Sequence, residues 1–520
     1  MQNTSASRYT NLHGIRQAVL DRARECAKLT LPWMVPPEGV TEGTKFPTPH
    51  QSVGARGSIA LAAKLLTTLL PPNSSFFRLD IEEFTLKEIS QDPRLKTEIE
   101  TALSMVERTT SMAIETSFMR TGIHEALLHL IITGNALVHF RPEGGVSVYG
   151  IDRFVCVRDP SGNPVEIIAV EEVAIETLSD EVRALLPPSQ NNLKPTSPGA
   201  QTAKLYTHLK LVTPKKWEIV QSVNEVEIPS TRGSYPVDLS PWRPLRWNRV
   251  DGESYGRGHT EAYLGDLKTL EGLSKAIVEY AAGAAKVVPL VNPNGVTDER
   301  DLSNAENFEF IPGVASDISF VRIEKYSDLS VAKQLADDLT LRLSQAYLMG
   351  SSIQRAGERV TAEEIRYMAA DLEATIGGVY ALMAQELQLP MVAILMADLT
   401  KKKRLPALPK GAVSPTITTG LDALSRANDL NKLDRLVAGL RDLYGPEALA
   451  AETNVGDYVK RRAAALGMNI DGLVKSDEQK QAENEQRMQM EMMNRLGPNA
   501  VNQAGNLMAA AAQQPQGPAE

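Results

Sequence analysis

The chain has 520 residues, and its 55 Lys and Arg against 64 Asp and Glu give a formal net charge of −9, with 42% hydrophobic and 23% charged residues. That balance excludes wholesale disorder, and it argues against a simple nucleic-acid binder that wraps phosphate with a basic face, though not against a ring through which DNA slides. At about 100–200 residues per domain the length implies three or four structural units, and with only 5% aromatic residues burial must rest on Leu, Ala, Ile, Val and Met, as in helical packing.

Leu12 to Leu31 reads as a helix ended by Pro32 and Pro36-Pro37, because proline has no N–H to continue the ladder. Ser52–Leu70 is a second, Ala/Leu-rich helix stopped by PPNSS. Pro93–Ser117 and Thr121–Thr133 extend a helical platform, with Leu103, Val106 and Thr110 on one face of the first and Leu127, Leu130 and Ile131 on one face of the second. The period then changes. Ala136–Phe140, Val146–Tyr149, Phe154–Arg158 and Val165–Val170 are short β-type runs separated by PEGG and DPSGNP, which is turn chemistry. Lys204–Val212 and Lys216–Val223 add strands after a polar connection, and Pro229–Pro244 reads as a proline-punctuated path.

Thr260–Lys286 is a long helix with Tyr263, Leu267, Leu270, Leu273, Ile277, Tyr280 and Ala284 recurring every three or four residues, and Asp266, Lys268, Glu271, Lys275 and Glu279 opposite. Residues 287–328 break that pattern and read as a compact α/β insertion, with strands at Phe308–Ile311 and Ile318–Ile323. Leu329–Met349 returns to helix, so two helices bracket a small module. The polar loop GSSIQRAGER (Gly350–Arg359) follows, and Thr361 with Glu364 fits a capping box opening a helix to about Gln388, before Pro390, with a kink expected at Gly377 and Gly378. Further helices fall at Gly420–Leu443 and Asn454–Leu466. From Val459 to Glu520 there is no aromatic residue, and the Met/Gln/Ala/Glu-rich end cannot build a core alone.

Chemistry is sparse. No Gly-Lys dipeptide occurs, so there is no nucleotide-binding P-loop, and HExxH, GxSxG and EF-hand patterns are missing. Gly256-Arg257-Gly258 starts like a dinucleotide fingerprint but lacks its third glycine. His124, His129 and His139 are spaced five and ten apart, off a common helix face, which favours structural roles over a metal site. Acidic pairs such as Glu82-Glu83, Glu171-Glu172, Asp337-Asp338 and Glu363-Glu364 diverge by about 100° on a helix and read as solvated faces. Lys401–Arg404 reads as a solvated loop. Cys26 and Cys156 form no CxxC pair, consistent with a reducing compartment. The longest apolar stretch, Ile59–Leu70, carries Lys64 and falls short of the ~18 residues a membrane span needs, so neither secretion nor membrane insertion is expected.

Several blocks carry a family resemblance: QSVGARG (Gln51–Gly57), LSMVER (Leu103–Arg108), RVDGESYGR (Arg249–Arg257), YLGDL (Tyr263–Leu267), GERVTAEEIRY (Gly357–Tyr367), GGVY (Gly377–Tyr380) and QELQLP (Gln385–Pro390). On these the chain resembles the portal (head-to-tail connector) proteins of autographivirus-type short-tailed podoviruses. The resemblance implies a mainly α fold with a smaller β component (α+β), assembled as a dodecameric ring at one capsid vertex. Its parts fall on residues 1–258 as wing, 259–286 and 329–349 as stem helices, 287–328 as clip and 350–360 as tunnel loop. Residues 361–390 take the place of a long kinked helix, 391–475 of a crown and 476–520 of a C-terminal barrel.

Under that resemblance Gln354, Arg355, Glu358 and Arg359 face DNA in the tunnel loop, and Lys268, Glu271, Lys275 and Glu279 line the stem channel. Asn294, Asp298, Glu299 and Arg300 dock motor and tail on the clip, and Gly377 and Gly378 form a hinge. The implied partners are non-specific double-stranded DNA, the terminase large subunit, tail adaptor and tail tube proteins, the major capsid protein, scaffolding and internal core proteins. The implied location is the virion, after assembly in the host cytoplasm, and no cofactor, metal or enzymatic activity is expected. An enzyme acting on DNA and a helical scaffold that leaves before maturation are the competing classes.

Overall fold

The computed structural model describes residues 4–40, 43–71, 76–81, 93–184, 186, 202–284, 288–307, 309–321, 326–349, 377–406, 413–417, 434–443, 458–459, 462, 486 and 488. Two compact units cluster separately, Met1–Leu424 and Ser425–Glu520.

The first helix starts earlier than its pattern suggests. Thr4 accepts a hydrogen bond from the Ser7 N–H and caps α1 (Ser5–Ile15), which turns at Arg16 into α2 (Gln17–Lys28). The expected single helix Leu12–Leu31 is thus two, because the turn buries Arg16, whose guanidinium donates to the carbonyls of Phe154 and Asp152. α3 (Val53–Leu69) follows, with Leu61, Leu65 and Leu69 sealed in the main core. A strand that no pattern flagged, β1 (Phe77–Ile81), precedes α4 (Pro93–Thr116) and α5 (Met119–Thr133).

Then come β2 (Asn135–Phe140), β3 (Val146–Tyr149), β4 (Phe154–Arg158) and β5 (Pro164–Ala174). The short α6 (Asp180–Ala184) leads into β6 (Thr202–Thr213), β7 (Lys216–Val223), β8 (Val226–Pro236) and β9 (Trp242–Arg246). They form two antiparallel sheets, β3-β2-β9 and β4-β5-β6-β7-β8. The proline-punctuated path is therefore two strands. Both are edge strands, where a missing N–H is tolerated, and Pro229 falls in the irregular stretch of β8 between its paired positions Ile228 and Gly233.

After a single turn, α7 (His259–Ala262), come α8 (Leu264–Ala284), β10 (Val288–Val291), α9 (Glu299–Asn304), β11 (Ile318–Val321) and α10 (Tyr326–Ala346). β10 and β11 pair antiparallel. Of the strand expected at Phe308–Ile311, Phe308 lies outside the described residues, and residues 309–311 are coil, the Glu309 N–H bonding the Glu306 carbonyl and Phe310 fully exposed.

The last long helix, α11 (Gly377–Lys401), runs straight through Pro390. Proline lacks the N–H for an ordinary turn. Here Ala384–Gln388 adopts a π turn, in which the Leu389 N–H reaches the Ala384 carbonyl five residues back, and the proline enters at the first turn of the next α segment. By length and composition this helix could cross a membrane, yet half of its apolar window is buried, with Met383, Leu387, Met391 and Val392 at most 1% exposed. It is a core helix. β12 (Val413–Ile417) then pairs antiparallel with β1. In the second unit, residues 434–443 are helical and Asp434 accepts from Tyr458 and pairs with Arg462.

Candidate functional site

Helices α8 and α10 pack against each other and bracket the β10–α9–β11 insertion. At one end their contact is a true core: Leu267, Leu270, Leu339, Leu343 and Tyr347 are buried together with α3. Gly57 on α3 lets the Tyr347 ring approach, since a Cβ there would lie 2.5 Å from it, and the Tyr347 hydroxyl bonds Thr260 at 3.0 Å. Toward the insertion the pair is bare. Val278, Val331 and Leu335 are exposed, Val331 by 65%.

The charged residues assigned to the channel face split into two pairs. Lys268 reaches Glu25 at 2.5 Å, and Glu271 accepts from the His50 N–H (3.0 Å), the His50 ring (2.9 Å) and the Gln51 N–H (3.2 Å). Burial pushes the Glu271 carboxyl up, but the His50 and Gln51 hydrogen bonds outweigh it and hold it below the ordinary carboxylate value. These two side chains tie α8 to the N-terminal region. Lys275 and Glu279, 3.8 Å apart on successive turns, are largely exposed.

In the insertion, Asp298 caps α9 through the Arg300 N–H at 2.8 Å, and the Asn294 N–H bonds the Asn292 side chain at 3.0 Å. Glu299 and Arg300 are exposed. Asp317 holds the turn, accepting from the Val296 N–H and the Thr297 hydroxyl, both at 3.1 Å. Gln354, Arg355, Glu358 and Arg359 lie outside the described residues. Gly377 and Gly378 open the described part of α11, and the geometry before them, where the kink is expected, lies outside as well.

Pattern reading missed a buried charge cluster. Glu386, inside the π turn of α11, accepts from Arg246 through Nη2 (2.6 Å), Nε (3.1 Å) and the backbone N–H (3.0 Å), and Arg158 lies 3.8 Å away. Arg158 in turn donates to the carbonyls of Ser254, Gly162 and Pro244. Glu386 of the QELQLP block thus clamps α11 to Arg246 of β9 and Arg158 of β4, and the only sequence hint is a lone glutamate in an apolar helix. The abortive dinucleotide fingerprint is explained too. Gly256 and Gly258 press against Gly134, where an added Cβ would meet backbone at 2.8–2.9 Å, and the Asn135 side chain bonds both polar groups of Gly256.

Among the described residues no His, Cys, Asp and Glu group could hold a metal. His139 stacks on Trp242 at 3.9 Å, and burial lowers His129 to about 3. Ser5, His208 and Glu166 form a chain of contacts at 3.2 and 3.0 Å that imitates a hydrolytic triad. Ser5 is only 3% exposed, however, and Glu166 is also held by Arg8, so the chain pins α1 to the sheet.

A family model for bacteriophage head-to-tail connecting proteins matches residues 2–474. The chain belongs to that family. A portal protein of Enterobacteria phage T3 is 41% identical over 479 residues, covering 91% of this chain and 88% of that protein. The portal protein of Escherichia phage T7 is 38% identical over 500 residues, covering 95% and 92%, and that of Enterobacteria phage SP6 is 32% identical over 475 residues, covering 91% and 90%. A connector is a structural component, and the enzyme reading falls with that assignment.

Proposed function

We propose that this connector forms a dodecameric ring whose central channel carries double-stranded DNA into and out of the phage head. The observation that carries the reading is the α8–α10 pair, sealed at one end and apolar but bare along Val278, Val331 and Leu335. A soluble chain keeps such a stripe when a second copy covers it. Within the ring α8 and α10 form the stem, with Lys275 and Glu279 toward the channel, and the insertion is the clip. Asn294, Asp298, Glu299 and Arg300 there meet the terminase large subunit during packaging and tail adaptor or tail tube proteins afterwards.

The loop at 350–360 places Arg355 and Arg359, beside Gln354 and Glu358, as rings of positive charge on an otherwise acidic wall, which hinder backsliding of DNA without binding it tightly. Gly377 and Gly378 are the hinge behind it. The major capsid, scaffolding and internal core proteins contact the outer surface and the C-terminal end, and assembly takes place in the host cytoplasm.

Electron micrographs of the purified protein are expected to show twelvefold rings with a hole, and monodisperse single subunits overturn the reading. Arg355→Ala/Arg359→Ala particles are expected to package DNA but lose it on storage; full retention removes the gate role. Deleting Asn294–Glu306 is expected to abolish motor binding while rings persist.

A further inference from the structure

Lys64 is the one charged residue in the apolar stretch Ile59–Leu70 that closes α3, and it is buried, only 6% exposed. Its ammonium donates to the Leu348 carbonyl, just past the end of α10. A buried ammonium needs acceptors, and the last carbonyls of a helix supply them together with the partial negative charge of the helix end. A second buried side chain works beside it: His259 of α7 bonds the Ala346 carbonyl through Nε2 at 3.0 Å. Burial lowers the His259 value against the opposing Ala346 bond, so the ring is neutral, and because it faces a carbonyl its Nε2 carries the proton.

The backbone at this place is unusual. The Met349 N–H bonds the Ser344 carbonyl at 2.7 Å and the Leu348 N–H bonds the Gln345 carbonyl at 2.9 Å, the paired bonds with which a helix stops on a left-handed residue. Glycine usually takes that place, because it has no Cβ to clash. Here it is Leu348, at φ +54°, with its side chain partly buried against the main core. A bulky residue stays in that conformation where its surroundings hold it there. Lys64 and His259 each grip a carbonyl, one on either side of Tyr347, whose own ring lies against Gly57 of α3.

We propose that Lys64 is a positioning residue: by holding the Leu348 carbonyl it keeps the stop of α10 in place, and so fixes the direction in which the chain leaves the stem for the loop at 350–360. The inference rests on the reading of that loop as the part that meets DNA. It adds that the start of the loop is set from α3, 284 residues earlier in the chain, so that a substitution in the core of the subunit changes DNA retention.

The test compares amide hydrogen exchange of the full-length protein with DNA retention by particles that carry it. Lys64→Met keeps the length and apolar stem of the side chain and removes the donor. It is expected to speed exchange about tenfold in peptides covering 344–349 while those of α8 and β5 stay as in wild type. Adding Leu348→Gly is expected to return most of the protection, because glycine adopts the left-handed backbone unaided. Lys64→Met particles are expected to lose DNA on storage, as Arg355→Ala/Arg359→Ala particles do. Where Lys64→Met prevents folding, Leu348→Val asks the same question from the turn itself, since a β-branched residue resists that conformation, and the same loosening and the same loss of DNA are expected. Unchanged exchange at 344–349 in Lys64→Met, loosening spread through the whole core, or full retention of DNA by loosened variants overturns the inference while the arginine loop keeps its role. Full retention by Arg355→Ala/Arg359→Ala particles removes the loop reading itself, and the inference with it.

Discussion

The β-containing region with α11 and the stem pair α8–α10 are built from similar residues but solve burial differently. In the first, apolar side chains close over one another within a single chain, and Glu386 is paired inside with Arg246 and Asn135 with Gly256. In the second, Leu267, Leu339 and Leu343 are sealed, while Val331, Leu335 and Val278 on the same two helices face solvent. The contrast separates what the subunit needs to fold from what it holds ready for its neighbours, and substitutions should sort accordingly.

The largest effect is expected at Glu386. Its removal takes away the carboxylate that Arg158 and Arg246 share, so Glu386→Ala should destabilise the subunit by about 3–5 kcal/mol in urea unfolding. A loss below about 1 kcal/mol would mean that the two arginines are solvated in the free subunit. The second effect is acid sensitivity confined to the same region. Burial, helped by the Arg153 charge, lowers His129 to about 3, whereas the unfolded chain titrates near 6.5. A group whose folded value is depressed contributes stability that is complete above its unfolded value and lost as pH falls toward the folded one. Stability should therefore decline between pH 6.5 and about 3, by about 2 kcal/mol at pH 5. His129→Gln should flatten that slope. Glu166, held down to about 2 by hydrogen bonding from His208, against burial, and by Arg8, adds a further loss from about pH 4.5 downward.

A pair of glycines gives the comparison a sign. Gly256→Ala puts a methyl group 2.8 Å from the Gly134 carbonyl oxygen, a backbone atom that cannot swing away, and should cost about 1–2 kcal/mol. Gly272→Ala, on α8, meets nothing within 4 Å and should stabilise by up to about 1 kcal/mol, because alanine restricts the unfolded chain and favours helix. Thermal unfolding of the two variants reads both signs in one experiment.

What was legible in the sequence followed periodicity. Helices α3, α5, α8 and α10 and strands β3, β4 and β7 lie where their patterns place them, because burial on one face imposes the period directly. What was not legible depended on partners far along the chain. β1 is a strand because Val413–Ile417 lies beside it, and β9 accepts Pro244 because it is an edge. α11 passes Pro390 because a π turn absorbs the missing donor. The candidate site divides the same way: α8 showed its charged face, but that Lys268 and Glu271 are tied to Glu25 and His50 depends on residues more than 200 positions away.

The smallest expected effect on a single subunit is the most informative about the ring. Val331→Ser/Leu335→Ser removes apolar surface that is already in water, so the isolated subunit should stay within about 0.5 kcal/mol of wild type. The opposite is expected of assembly. If a neighbouring copy covers these positions, the loss repeats at every interface of a closed ring, and the ring population seen by mass photometry should fall sharply at concentrations where wild type is fully assembled. A double variant that is less stable as a subunit would show that the stripe is buried within the chain. One that assembles like wild type would move the subunit contact away from the stem.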